Sequence, residues 1–147
     1  MKAELSVAYS RVVVDTNVLI AAALSPKGVP SELVDWILRE GALLFSDESF
    51  AELETRIWKP KFDLYLSIER RKRLLLDFNA SALWTAIPAE LNAQFFSRDK
   101  NDDAFIRTAL AADATRLISG DDDLLILHPI GKLLIISPRM AWNELTA

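Results

Sequence analysis

Val12-Val13-Val14-Asp15-Thr16-Asn17 and Arg116-Leu117-Ile118-Ser119-Gly120-Asp121-Asp122-Asp123 decide the fold of this chain. Each is a short aliphatic, β-branched run that stops at aspartate. Continuous apolar runs of this kind read as strands buried on both faces, as in a parallel sheet covered by helices. In open α/β sheets, ligands sit outside the carboxyl ends of the strands. Asp15 and Asp121 are therefore expected at one rim. A third acidic stretch, Asp99-Lys100-Asn101-Asp102-Asp103, precedes a helical pattern and is placed to join them. Carboxylates gathered there repel one another unless a cation lies among them, and hard oxygen ligands suit Mg²⁺ or Mn²⁺.

Strands and helices alternate outward from these runs. Arg11 to Asp15 reads as the first strand and Asn17 to Leu24 as a buried helix, broken by Ser25-Pro26-Lys27-Gly28. Pro30 suits the first turn of a second helix with Leu33, Val34, Ile37 and Leu38 as its stripe, ended by Gly41. Ala42 to Phe45 is a strand, and Ser46 or Asp47 caps a helix running to about Trp58. Ser67 to Ala82 reads as a helix with Ile68, Leu74, Leu75 and Phe78 inside, and Trp84 to Ile87 as a strand. Asp102 or Asp103 is expected to cap the helix holding Phe105, Ile106, Ala109 and Leu110. Arg116 to Ser119 and Leu133 to Ile136 are the last strands. Pro138 starts a terminal helix with Met140, Ala141 and Leu145. The pattern predicts one α/β domain over residues 1–147 with a mainly parallel central sheet.

Composition sets the bounds. The chain has 147 residues, 51% apolar and 26% charged, as in an ordinary globular domain. The longest apolar run, Val18 to Leu24, is far below the roughly 20 residues that span a bilayer. The start, Met1-Lys2-Ala3-Glu4-Leu5, has no leader-like apolar stretch. Cysteine is absent, so thiolate metal sites and disulfides are excluded. These features fit the cytoplasm. The net charge of −4 is not that of a general polyanion binder. Yet seven of the 17 basic residues lie between Arg56 and Arg73, and seven of the 21 acids between Asp99 and Asp123. One region is suited to phosphates and the other to metal.

Each carboxylate also has a simpler reading. Asp15 can cap the following helix, with Asn17 able to orient it if it is a ligand. Asp121, Asp122 and Asp123 can form a solvated turn. If the segment is extended, Asp121 and Asp123 point the same way. Asp99-x-Asn101-x-Asp103 begins like a calcium loop, but Ala104 and Leu110 stand where that loop needs Gly and Glu. Acids opening a helix are then what remains. Periodicity places Glu52 away from the Phe50–Leu53–Ile57 seam and does not separate it from Glu48 or Glu54. The lone histidine, His128, reads as a loop residue. Without metal or at low pH, the acidic cluster is expected to destabilise the fold by self-repulsion.

Together these pieces resemble the PIN domain family, and in particular toxin-like PIN proteins related to VapC-type toxins. The resemblance is carried by Val14-Asp15-Thr16-Asn17-Val18-Leu19-Ile20, by Ser46 to Phe62 with Glu52-Leu53 and Lys59-Pro60-Lys61-Phe62, by Arg98 to Phe105, and by Leu117 to Leu125. They occur in family order over almost the whole chain. The resemblance implies a three-layer α/β/α fold and a divalent-metal ribonuclease using Mg²⁺ or Mn²⁺. Its four acidic positions fall on Asp15, Glu52, Asp103 and Asp121, with Asp102 and Asp123 as neighbours able to assist or substitute. Asn17 and Ser119 would orient the ligands; Ser119 stands where threonine is commoner. It also implies an RNA substrate, an antitoxin partner and a homodimer.

The basic segment is the expected substrate track, through Lys59, Lys61, Arg70, Arg71 and Arg73. Trp58, Phe62 and Tyr65 are interleaved with it and read more readily as core than as stacking platforms. Two other acid-dependent classes fail: a phosphatase with a nucleophilic Asp needs a second Asp where Asn17 stands, and a phosphoacceptor domain needs an acidic pair at the first strand. The rival outside enzymology is a PIN-like module that binds RNA or protein without significant nuclease activity.

Overall fold

The computed structural model describes residues 3–147, with side chains from Leu5 onward; Met1-Lys2 of the stretch read for a leader lie outside them. The chain runs α1 (Ala3–Ala8), β1 (Val13–Val14), α2 (Thr16–Leu24), α3 (Val29–Glu40), β2 (Leu44–Phe45), α4 (Asp47–Ile57), a short 3₁₀ turn (Pro60–Phe62) and α5 (Ile68–Ser81). It continues through β3 (Leu83–Trp84), α6 (Ala89–Asn92), α7 (Lys100–Ala111), β4 (Arg116–Ile118), α8 (Asp122–Leu125), β5 (Leu134–Ile136) and α9 (Pro138–Thr146).

β1, β4 and β5 are parallel neighbours, with Val13 beside Leu117 and Ile118 beside Ile136. β2 and β3 form a second parallel pair. A parallel bridge between Val12 and Leu43, with the Leu44 N–H donating to the Val12 carbonyl, joins the two. The resulting order is β3-β2-β1-β4-β5, as the α/β pattern requires.

The strand residues explain the layers. Successive side chains of a strand point to opposite faces. Val12, Val14, Phe45, Ile118 and Ile136 enter one core with α2, α3, Phe50 and Leu53 of α4, Phe78 of α5 and Ala141 of α9. Val13, Leu44, Leu117 and Ile135 enter the other with Phe105, Ile106 and Ala109 of α7 and Leu124 of α8. The sheet is thus covered on both faces, giving the expected α/β/α sandwich. Leu117 and Ile118 are fully buried, each burial contributing roughly 1.5–3 kcal/mol.

Gly41 ends α3 as expected, where a side chain would run into the Tyr9 backbone carbonyl. Several local expectations change. The strands are shorter, and β3 spans Leu83–Trp84 rather than Trp84 to Ile87. Ile68, expected inside, is 58% exposed. Asp99, not Asp102 or Asp103, caps α7 through the Asn101 N–H. Helices α1, α6 and α8 are additional. Among the described residues no helix is long and apolar enough to cross a membrane.

Candidate metal centre

The carboxyl ends of the strands form one rim, and the helices leaving it are capped by side chains there: Asp15 for α2, Ser46 for α4, Asp121 for α8 and Ser137 for α9. Asp15 is buried. Its Oδ1 accepts from the Asn17 N–H at 3.2 Å, and its Oδ2 accepts from Ser119 Oγ at 2.7 Å. Ser119 Oγ in turn accepts the Asp121 N–H at 2.9 Å. One fully buried hydroxyl therefore ties the tip of β1 to the tip of β4. Burial raises the Asp15 carboxyl above its ordinary range; the Ser119 and Asn17 hydrogen bonds and the Arg56 charge oppose this, while Asp121 adds to it.

Asp121 does not continue an extended strand. Its Oδ1 accepts the Asp123 N–H at 2.9 Å, and the chain turns into α8. This turn, rather than strand alternation, brings Asp123 beside Asp121. Asp102 arrives from the first turn of α7. One carboxylate oxygen from each of Asp102, Asp121 and Asp123 lies within 4.8 Å of the others. Asp102 is 2% exposed, and its Oδ2 has no hydrogen-bond partner. Burial pushes its carboxyl up to about 7, assisted by a shared contact with Asp121 and by the charges of Asp121, Asp15 and Asp99. An orphaned buried oxygen amid converging carboxylates fits a hard divalent cation. The raised carboxyls also correct half of an expectation: without metal the ionised cluster repels itself, but acid relieves that repulsion by protonating it.

Asp103, one of the four positions implied by the resemblance, is turned away from this cluster. It is fully buried and its carboxylate accepts the Phe96 N–H at 3.2 and 3.3 Å and the Ser97 N–H at 2.7 Å. Arg107 lies 3.9 Å from it. The geometry makes Asp103 the anchor of the segment before α7 and brings Asp102 to the rim instead. Adjacent helical residues differ by about 100° in direction, and here the two side chains leave α7 toward different neighbours.

Of the glutamates left open by periodicity, Glu48 pairs with Arg107 at 2.7 Å and Glu54 is exposed. Glu52 accepts from Arg56 Nε at 2.7 Å, and the same guanidinium donates to Asn17 Oδ1 at 3.1 Å. Glu52 thus stands on the side of α4 that faces the tip of β1. Arg56, the first residue of the basic stretch, lies among the acids of the rim. Its spacing of four from Glu52 was the available signal.

The rest of the track divides. Lys59, Lys61, Arg70 and Arg73 are exposed. Arg71, expected with them, is 3% exposed; it donates twice to Asp63 Oδ1 at 3.1 Å and lies over the Trp58 ring. Phe62 packs against the core as expected, whereas Tyr65 is 72% exposed. His128 holds a loop in place, its Nδ1 accepting the Ile135 N–H at 2.9 Å. An apolar recess of about 310 Å³ borders the acids between Asn17, Val18, Ala21, Pro30, Gly120 and Pro138.

The chain is 32% identical over 129 residues to MJ1680, an uncharacterized protein of Methanocaldococcus jannaschii, covering 86% of this chain and 81% of that one. Its fold is similar to that in the crystal structure of VapBC2 from Rickettsia felis bound to a DNA fragment from their promoter, with a TM-score of 0.59 and 14% identity over 86% of this chain and 98% of that one. It is also similar to PAE2754 from Pyrobaculum aerophilum, with a TM-score of 0.55 and 16% identity over 94% and 90% of the two chains. Residues 11–123, which hold every acid of the rim, match the PIN domain family. The chain belongs to the PIN domain family.

Proposed function

We propose that this chain is a divalent-metal-dependent endoribonuclease and the toxin half of a toxin–antitoxin pair acting in the cytoplasm. The observation that carries the reading is the convergence of Asp102, Asp121 and Asp123, with the Asp102 Oδ2 buried and unpartnered. Asp15, Asp102, Asp121 and Asp123 would hold Mg²⁺ or Mn²⁺. The bound ion would neutralise phosphate charge and make water a nucleophile at neutral pH.

The chain's own residues do the rest. Ser119 and Asn17 fix the Asp15 carboxylate, so its direction is set before substrate arrives. The α8 turn does the same for Asp121 and Asp123. Glu52, one oxygen held by Arg56, would orient the attacking water with the other. The recess beside Asp121 offers a base next to the cut phosphate an apolar surface. Exposed Lys59, Lys61, Arg70 and Arg73 would hold the backbone farther along. A fold shared with a VapBC2 structure supports an antitoxin partner, and a homodimer accompanies that reading.

The test is cleavage of a panel of single-stranded and structured RNAs with Mn²⁺, with Mg²⁺ and with EDTA, using Asp15→Asn as control. Cleavage that needs both metal and Asp15 is expected. A folded protein that binds RNA tightly but cuts none of the panel would instead favour a binding module.

A further inference from the structure

Arg56 is held at two points, by Glu52 Oε1 at 2.7 Å and by Asn17 Oδ1 at 3.1 Å. These contacts use its Nε and one terminal nitrogen. A guanidinium has five N–H donors in a planar fork. Its remaining donors lie in a half-buried position, the side chain being 23% exposed, within electrostatic reach of Asp15 and Asp102. Arg56 is the cation beside Asp15, and its charge reaches Asp102 as well.

A polyanionic strand approaching this rim meets several carboxylates, and any phosphate that enters must be offered positive charge. Simple ion pairing with Glu52 would need one contact from the arginine. The second contact, to Asn17 on α2, fixes the plane of the fork across the gap between α4 and the tip of β1. Pre-orientation of this kind lowers the ordering cost of binding a phosphate through paired hydrogen bonds.

We propose that Arg56 is a phosphate-binding residue of the site, gripping a backbone phosphate of a single-stranded RNA beside the acids, with Asn17 and Glu52 setting its angle. The inference rests on the ribonuclease reading and adds to it a residue outside the four-acid scheme.

The test measures RNA affinity separately from turnover. In an Asp102→Asn background, where cleavage is stopped, binding of a fluorescent single-stranded RNA oligonucleotide is followed by anisotropy for Arg56, Arg56→Lys and Arg56→Ala. Mn²⁺ affinity of the Arg56→Ala and unaltered proteins is measured in parallel by calorimetry. Arg56→Ala should weaken RNA binding about tenfold, as expected for charge-assisted hydrogen bonds, with Mn²⁺ affinity equal or tighter. Arg56→Lys should recover part of the loss. If Arg56→Ala binds RNA as well as the parent, or loses only Mn²⁺ affinity, Arg56 merely positions Glu52 and the inference is overturned. If the unaltered protein neither binds nor cuts any RNA, the ribonuclease reading falls and this inference falls with it.

Discussion

Asp102 and Asp103 are neighbours in α7 with different partners. Asp102 turns toward Asp121 and Asp123 with a buried, unpartnered oxygen. Asp103 turns toward the preceding segment and satisfies two backbone N–H groups, those of Phe96 and Ser97. The two substitutions to asparagine should therefore separate activity from stability. Asp102→Asn should abolish metal-dependent cleavage while leaving the metal-free protein as stable or more so. Asp103→Asn should cost about 2–4 kcal/mol, because the charge-assisted bonds weaken and Arg107 loses part of its compensation. Thermal melts in EDTA beside cleavage assays in Mn²⁺ decide this. Equal loss of stability in both variants would sink the division of labour.

The raised Asp102 carboxyl makes an unusual pH dependence. Folded and metal-free, burial pushes it up to about 7; unfolded, it has the ordinary aspartate value of about 4. Between these values the folded chain keeps a proton that the unfolded chain has released. Stability therefore falls as pH rises through this window, with no contribution below it and the full penalty, a few kcal/mol, above it. The raised Asp15 carboxyl acts in the same direction. In EDTA the urea midpoint should drop from pH 5 to pH 8 more steeply for the parent than for Asp102→Asn. Saturating Mn²⁺, which favours the ionised form, should flatten or reverse the trend. Parallel curves for parent and variant would show that Asp102 does not titrate in this window.

Ser119 supplies the next test. Its hydroxyl donates to Asp15 and accepts from the Asp121 backbone, so Ser119→Ala releases two acids at once. The buried Asp15 Oδ2 loses its hydrogen bond, which should cost about 1–3 kcal/mol. Mn²⁺ affinity should fall by roughly 10–100-fold, as is usual when the group orienting a ligand is removed. Calorimetric titration with Mn²⁺ checks it. Full affinity in Ser119→Ala would mean that the backbone alone orients Asp15.

Much of this architecture was legible in the residues. The alternation of Val12, Val13 and Val14 between two cores follows from an apolar run at a period of two, and the rim follows from the aspartates that end such runs. Asp121 with Asp123 was also readable, although the physical cause is the α8 turn rather than strand alternation. Three features were not readable because tertiary contacts fix them. Asp103 rather than Asp102 is held by the backbone N–H groups of Phe96 and Ser97, a pairing that no periodicity reports. Arg56 is drawn out of the basic run by Asn17, a residue 39 positions away in sequence. Arg71 is buried beneath Asp63 and Trp58, while its neighbours Arg70, Lys72 and Arg73 remain in solvent.

That split within the basic run gives the last prediction. Lys59, Lys61, Arg70 and Arg73 are exposed and free to meet phosphates, whereas Arg71 already stabilises the segment around the 3₁₀ turn. Replacing the four exposed cations with alanine should weaken single-stranded RNA binding. It should also flatten the dependence of log affinity on log salt by up to about 3, since each phosphate contact with a single strand contributes about 0.7 to that slope. Thermal stability should change little, because exposed charges contribute weakly to folding. Arg71→Ala should do the reverse. It should leave the salt slope unchanged and lower stability by about 1–3 kcal/mol, through lost packing of the buried Arg71 on Trp58 and, to a lesser extent, the lost pair with the exposed Asp63. Anisotropy titrations at several salt concentrations, with a melt for each variant, separate the two. An unchanged slope in the fourfold variant would mean that RNA approaches the acids by another face.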